Sequence, residues 1–205
     1  HKRALTQAAG TTTGDQLKDP ASARTALLSN LLQRAAARWG SKPLGQVGTI
    51  SRGKRFTKAD YVRSGIPCIH YGQLYTDFGE LASEAVTFLP ESLRPTLRFA
   101  QPGDVVLSGT SETIEDVAKG VAWLGLEPVA IHDDCFVFSH NLDPRYASYL
   151  FGSQDFMRQK TQFRSETKLV RISAENLARV TVPTPPLQEQ KRIADAIEQF
   201  TVTQQ

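Results

Sequence analysis

Leu27, Leu28, Leu31, Leu32, Ala35 and Trp39 recur on one stripe at helical spacing. Asp19-Pro20 in front of them reads as an N-cap and first helical residue, and Gly40 behind them as a stop. The pattern predicts a helix over 20–39 whose apolar stripe must be buried. Because this helix precedes the globular part, a partner helix is the simplest cover. From Leu44 onward the period shortens. VGTISRGK predicts a strand ending in a glycine turn, IPCIHYGQL a mostly buried strand behind Gly65 and Pro67, and VTFLP another short strand. QPGDVVLSGTS gives a turn, a four-residue apolar strand and a polar loop. KGVAWLGLEPVAIHDDCFVFSH gives two or three strands split by Gly125 and Pro128.

Asp143-Pro144 then caps a predicted helix, PRYASYLFGSQDFMRQK, with Tyr146, Tyr149, Leu150 and Phe156 facing inward. In ISAENLARVTVPTPP, Ser173 caps a short turn and a strand follows that Pro183 terminates. Pro185-Pro186 pre-sets the first turn of a last helix, with Gln188 and Glu189 where acids and amides favour an N-terminus. Ile193, Ala196, Ile197 and Phe200 make its apolar seam. Many short strands with a few helices, not alternating one for one, predict an α+β fold. Four regions follow: a flexible lead-in over 1–19, a helix over 20–40, a globular body over 41–185, and the start of a helix from 186 to 205. The two helices, with seams Leu27, Leu28, Leu31 and Ala35 and Ile193, Ala196, Ile197 and Phe200, are expected to pair as a spacer or rod separate from the body's core.

The 205 residues, 40% hydrophobic and 22% charged, are ordinary for a soluble globular protein. No apolar run approaches the roughly 18 residues of a membrane span. The basic start lacks the apolar stretch of a signal peptide, and a chain beginning at His1 rather than Met suggests a trimmed boundary. Cys68 and Cys135, without ligand spacing, read as reduced core thiols of a cytoplasmic protein.

A net charge of +3 says little, but its distribution says more. Lys42, Arg52, Lys54, Arg55, Lys58 and Arg63 face one anion, Asp60. Arg158, Lys160, Arg164, Lys168 and Arg171 face Glu166, and an acidic knot of Glu112, Glu115 and Asp116 lies between the two clusters. Interleaved with Phe56, Tyr61, Phe156 and Phe163, these clusters fit a phosphate-binding surface, and equally a solvated face.

Catalytic motifs are missing: no nucleophile elbow, no phosphate loop, no zinc-protease signature. His132-Asp133-Asp134-Cys135 suggests a metal, yet consecutive residues of a strand point to opposite faces, so no metal site is expected. Thr184-Pro185-Pro186-Leu187 lacks both the Asp or Asn and the aromatic that would flank Pro-Pro in an amino-methyltransferase. Glu166 and Lys168 with Asp104 form at most half of a metal-dependent nuclease motif.

KPLGQVGTISRGKRFTKADYVRSGIPCIHYGQL, PGDVVLS and above all ISAENLARVTVPTPPLQEQKRIADAIEQF resemble the specificity subunit of type I restriction–modification systems, from Lys42 to Phe200. The resemblance implies a DNA-reading chain without an active site, flanked by coiled-coil helices. It implies methyltransferase and restriction subunits as partners, with S-adenosylmethionine held by the methyltransferase and no cofactor here. That family generally carries two target recognition domains. With one, this chain is either half of a longer subunit or a half-subunit pairing with a copy of itself.

Such a domain needs cations for phosphates and polar groups for base edges. The candidates are Arg52, Lys54, Arg55 and Lys58 after a strand, and His70, Tyr71, Gln73 and Tyr75 after the next. A hydroxyl-rich loop offers Ser108, Thr110, Ser111 and Thr113, and a basic loop offers Arg164, Ser165, Thr167 and Lys168. The alternatives are an enzyme, either a fused restriction–methyltransferase or the nuclease above, and a coiled-coil module that binds no DNA.

Overall fold

The computed structural model describes residues 19–163 and 170–203. Helix α1 (Pro20–Trp39) starts where Asp19 accepts the Ser22 main-chain N–H, and stops at Gly40, whose φ of 77° suits a residue without Cβ. Strand β1 (Ser41–Pro43) and the single turn α2 (Leu44–Val47) lead into β2 (Gly48–Arg52). After a basic loop come β3 (Ile66–Ile69), the turn α3 (Gln73–Thr76), β4 (Leu81–Ala82), β5 (Thr87–Leu89) and β6 (Phe99–Ala100). Strands β7 (Val105–Ser108), β8 (Thr110–Ser111), β9 (Gly120–Trp123), β10 (Val129–Ile131) and β11 (Cys135–His140) follow. The chain closes with α4 (Pro144–Phe151), α5 (Gln154–Lys160), β12 (Val170–Arg171), α6 (Ala174–Arg179), β13 (Thr181–Pro183) and α7 (Leu187–Thr203).

Two sheets stack. One has the order β2-β11-β7-β9-β4, the other β5-β3-β10-β6, and the ribbons β1-β13 and β8-β12 complete the set. Period-two alternation builds the layers. In β7, Val105 and Leu107 face the helices while Val106 faces the second sheet. In β11, Phe136 and Phe138 take the helix side, and Cys135 and Val137 meet Ile69, Val129 and Ile131 between the sheets. A third cluster of Phe56, Ile66, Cys68, Leu89 and Ala130 lies on the outer face of the second sheet. The mixture of helices and strands is the predicted α+β class.

Two expectations about the helices change. The segment 144–160 breaks at Gly152-Ser153, where the Ser153 hydroxyl accepts the Phe156 N–H and starts α5 afresh. Tyr146, Tyr149, Leu150 and Phe156 are nonetheless buried. The larger change concerns the seams. Leu28, Leu32, Ala35, Ile193, Ala194 and Ile197 belong to the same apolar cluster as Phe138, Tyr146 and Val182, with Leu27 and Leu31 packed against it. Ala196 and Phe200 are partly buried. The expected seam separate from the body is therefore part of the body's core.

The cause is local. The β1–β13 ribbon pairs Ser41 with Pro183, and the Thr184 N–H donates to the Gly40 carbonyl, so α1 ends beside the start of α7. Beyond Pro185-Pro186, α7 packs on α1 and α4. The buried Gln190 locks this corner: its Oε1 accepts the Asp143 N–H at 2.8 Å and its Nε2 donates to the Pro185 carbonyl at 2.8 Å. Arg145 on α4 reaches Asp195 and Glu198 on α7.

Candidate nucleic-acid interface

The loop after β2 is anchored at several points. The Gly53 N–H donates to the Cys135 carbonyl and the Lys54 N–H to that of Ile131. A Cβ on Gly53 would lie 2.0 Å from the His132 carbonyl oxygen, so only glycine allows this approach. Phe56 is buried in the outer cluster. The Thr57 N–H and hydroxyl both donate to Asp60, which holds that carboxyl below its ordinary range. What remains outside is Lys54, Arg55 and Lys58. Among the described residues no ion pair engages these three, whereas Arg24, Arg94, Arg145, Arg158, Arg179 and Arg192 each face a carboxylate.

Beside this loop, Lys58, His70 and Gln73 line an open cleft of about 420 Å³ with Tyr61, Thr76 and Thr87. Its polar groups are partly committed. Gln73 Oε1 accepts the His70 N–H at 2.8 Å, and the Tyr71 ring packs 4.7 Å from the His70 ring. Burial, with His132 and Lys58 nearby, lowers the His70 imidazole below its ordinary value.

A second open cleft, of about 540 Å³, runs between β2, β8 and β12. Arg52, Thr110, Asp133, Asp134, Arg171 and Asn176 line it. Its floor is stitched by main-chain bonds from Gly109 N–H to the Asp134 carbonyl and from Ile172 N–H to the Gly109 carbonyl. The Arg52 Nε donates to the Asp133 carbonyl at 2.6 Å, which fixes the direction of the guanidinium.

Other candidates turn inward. Ser108, Thr110 and Ser111 are buried, Ser108 where β11 pairs with β7 and Thr110 and Ser111 where β12 pairs with β8. The Ser108 hydroxyl bonds the Asp116 carbonyl, and the Tyr75 hydroxyl the carbonyls of Thr110 and Asp116. Thr113 is exposed and donates to its own loop's Asp116. Ser108, Ser111 and Tyr75 therefore build the loop; they do not present from it. Arg164, Ser165, Thr167 and Lys168 lie outside the described residues, as does Glu166.

Residues 132–134 depart from the strand expected there. His132, Asp133 and Asp134 form the β10–β11 turn, not a strand, and their ligand atoms lie within 4.8 Å of one another. They already satisfy each other. His132 Nδ1 accepts the Asp134 N–H at 3.1 Å, so Nε2 keeps the hydrogen, and it faces Asp133 Oδ1 at 3.2 Å. A cation would have to displace both bonds. Asp104, the possible nuclease carboxylate, is buried in the turn before β7, where it accepts the Gln101 N–H and the Ser139 hydroxyl.

The family model for the type I restriction modification DNA specificity domain matches residues 37–205. The chain belongs to this family. Among relatives of the specificity domain is the type I restriction enzyme MjaVIII specificity subunit of Methanocaldococcus jannaschii, 28% identical over 167 residues that cover 78% of this chain and 39% of that protein. Two solved structures share the fold. The HsdS subunit from Thermoanaerobacter tengcongensis has a TM-score of 0.63 at 19% identity, over 93% of this chain and 45% of the other. A chain from a structure of complex assembly and conformational transition in the type I R-M system has a TM-score of 0.65 at 20% identity, over 93% and 46%. The chain thus spans less than half the length of these relatives.

Within this specificity domain, sequence reasoning missed Arg171, Asn176 and the Asp133–Asp134 pair as neighbours of Arg52. Arg171 stood in the second basic cluster, a usable signal. That β12 would lie along β8 was not visible, since two-residue strands carry no period. Among the described residues no helix is long and apolar enough to cross a membrane.

Proposed function

We propose that this specificity domain reads the sequence of duplex DNA for a type I restriction–modification complex. The observation that carries the reading is the anchored loop that holds Lys54, Arg55 and Lys58 outside together, with no carboxylate partner among the described residues. Unpaired cations on a fixed loop favour phosphates, whose neutralisation releases counterions. Family membership supports the same reading, and with it a non-catalytic role in which methyltransferase and restriction subunits do the chemistry. S-adenosylmethionine would be held by the methyltransferase. One domain of this kind fits one half of a two-part site. The other half would come from a further domain of a longer subunit or from a second copy, and such work is cytoplasmic.

The test is a titration of duplex binding against salt. The expected slope is about −0.9 in log affinity per log salt for each phosphate engaged. Affinity that ignores salt, or no affinity for any duplex, overturns the proposal. The nuclease reading has less support, because Asp104 is spent inside a turn.

A further inference from the structure

The two basic features of the domain differ in charge balance. The loop at 54–58 presents cations alone. The cleft between β2 and β12 holds two guanidinium groups, Arg52 and Arg171, together with two carboxylates, Asp133 and Asp134. A phosphate entering that cleft would meet two negative charges, so attraction and repulsion nearly cancel. A base edge has no such conflict. Guanine offers two acceptors, O6 and N7, to a guanidinium fork, and the paired cytosine offers an amino donor to a carboxylate.

Arg52 is already aimed. Its Nε is spent on the Asp133 carbonyl, which leaves the terminal amino groups to meet a bidentate acceptor. The main chain of the opposite wall is fixed too, because Arg171 sits on β12 in register with Thr110 of β8, and Gly109 ties that ribbon to the Asp134 carbonyl. With its Nε already bonded, Arg52 loses less rotamer freedom on binding than an unattached arginine would. We infer that the cleft between Arg52 and Arg171 is a base-reading subsite for a G·C pair in the major groove, while Lys54, Arg55 and Lys58 supply the phosphate contacts. The inference rests on the DNA-reading function proposed above and assigns its specificity to particular groups.

The experiment selects the preferred sequence of the full-length chain from a randomised duplex library. Affinity is then measured for that duplex and for versions with each base pair changed in turn, across a salt series. Arg52→Lys and Arg171→Lys keep the charge and remove the fork. The expected result for either is loss of on the order of 10- to 100-fold in discrimination at one G·C position, with an unchanged salt slope. Lys54→Ala should do the reverse, lowering the slope by about 0.9 and leaving discrimination intact. Circular dichroism checks that each variant is folded. Unchanged discrimination in both arginine variants overturns the subsite but leaves the DNA-reading function standing. A chain that binds no duplex overturns that function itself, and the subsite with it.

Discussion

The side-chain oxygen of Gln190 accepts the main-chain N–H of Asp143 across 2.8 Å, inside the stretch TPPLQEQ that marks the end of the domain. The same amide donates to the Pro185 carbonyl, and the Tyr146 hydroxyl on α4 donates to the neighbouring Pro183 carbonyl. One glutamine therefore joins the N-terminus of α4, the proline turn and the first turn of α7. Removing it leaves a buried N–H and a buried carbonyl unpaired. Gln190→Ala should cost about 1–3 kcal/mol, seen as a lower urea midpoint at unchanged slope. A midpoint equal to that of the natural chain would mean that water or a shifted turn replaces both bonds.

The closing stretch was recognisable from its prolines and glutamines, but its purpose was not. The sequence predicts a helix launched outward. Whether that helix leaves or folds back depends on the β1–β13 pairing of Ser41 with Pro183, a contact across most of the chain. Features set by neighbouring residues were legible: Asp19-Pro20 and Gly40 bound α1, Asp143-Pro144 starts α4, and Ser173 caps α6. Features set by distant pairing were not. Ser108, Thr110 and Ser111 look like a solvated hydroxyl loop until β11 and β12 cover them. His132-Asp133-Asp134 alternates only if it is a strand, and it is a turn. The exposed cations Lys54, Arg55 and Lys58 were legible because nothing distant covers them.

Folding α7 onto the body has a measurable consequence. Ile197 is fully buried among residues of α1 and α4, so Ile197→Ala should cost about 2–5 kcal/mol. Ile197→Asp would bury a charge without a partner and should unfold the whole domain. Lys191→Ala, on the exposed face of the same helix, should stay within about 0.5 kcal/mol. If Ile197→Asp left the body's circular dichroism intact and changed only oligomeric mass, the separable rod would be restored.

Lys160 makes stability depend on pH in an unusual direction. Its ammonium is buried and donates to the carbonyls of Glu115 and Val117, each at 2.6 Å. Burial lowers its pKa to about 8, against the nearby Asp116 and Glu115, which act to raise it. The unfolded chain keeps this proton up to about 10.5. Between those values the unfolded state binds more protons, so this group's contribution to stability rises with pH, by at most about 3 kcal/mol across the window. A neutral amine still has two N–H groups for the two carbonyls, so the contacts persist. Tyr146 and Cys135, raised by burial, act oppositely at high pH. The difference between the natural chain and Lys160→Met isolates the lysine. It should move in favour of the natural chain from pH 8 upward; a flat difference would show that Lys160 stays charged.

Gly53 links the core to the cations that would meet DNA. Its α-carbon runs so close to the β10–β11 turn that an added Cβ would stand 2.0 Å from the His132 carbonyl and 2.5 Å from that of Ile131. Both obstacles are main-chain atoms, one at the end of β10 and one in the turn held by the His132–Asp133 contact and by the Asp134 N–H bond to His132, so neither can yield cheaply. In Gly53→Ala the loop must therefore lift away. It would lose the Gly53 bond to Cys135 and the Lys54 bond to Ile131. The core clusters lie on either side of this contact, so the domain should remain folded, with a moderate drop in stability of about 1–3 kcal/mol. DNA binding should fall further than stability does, because Lys54, Arg55 and Lys58 would no longer be held together on one fixed loop. Salt titration separates the causes. A displaced loop reduces the slope of log affinity against log salt, whereas a merely less stable domain binds with its full slope at temperatures well below its melting point. A variant that keeps both its affinity and its slope would show that the loop tolerates displacement and that its anchoring is irrelevant to binding.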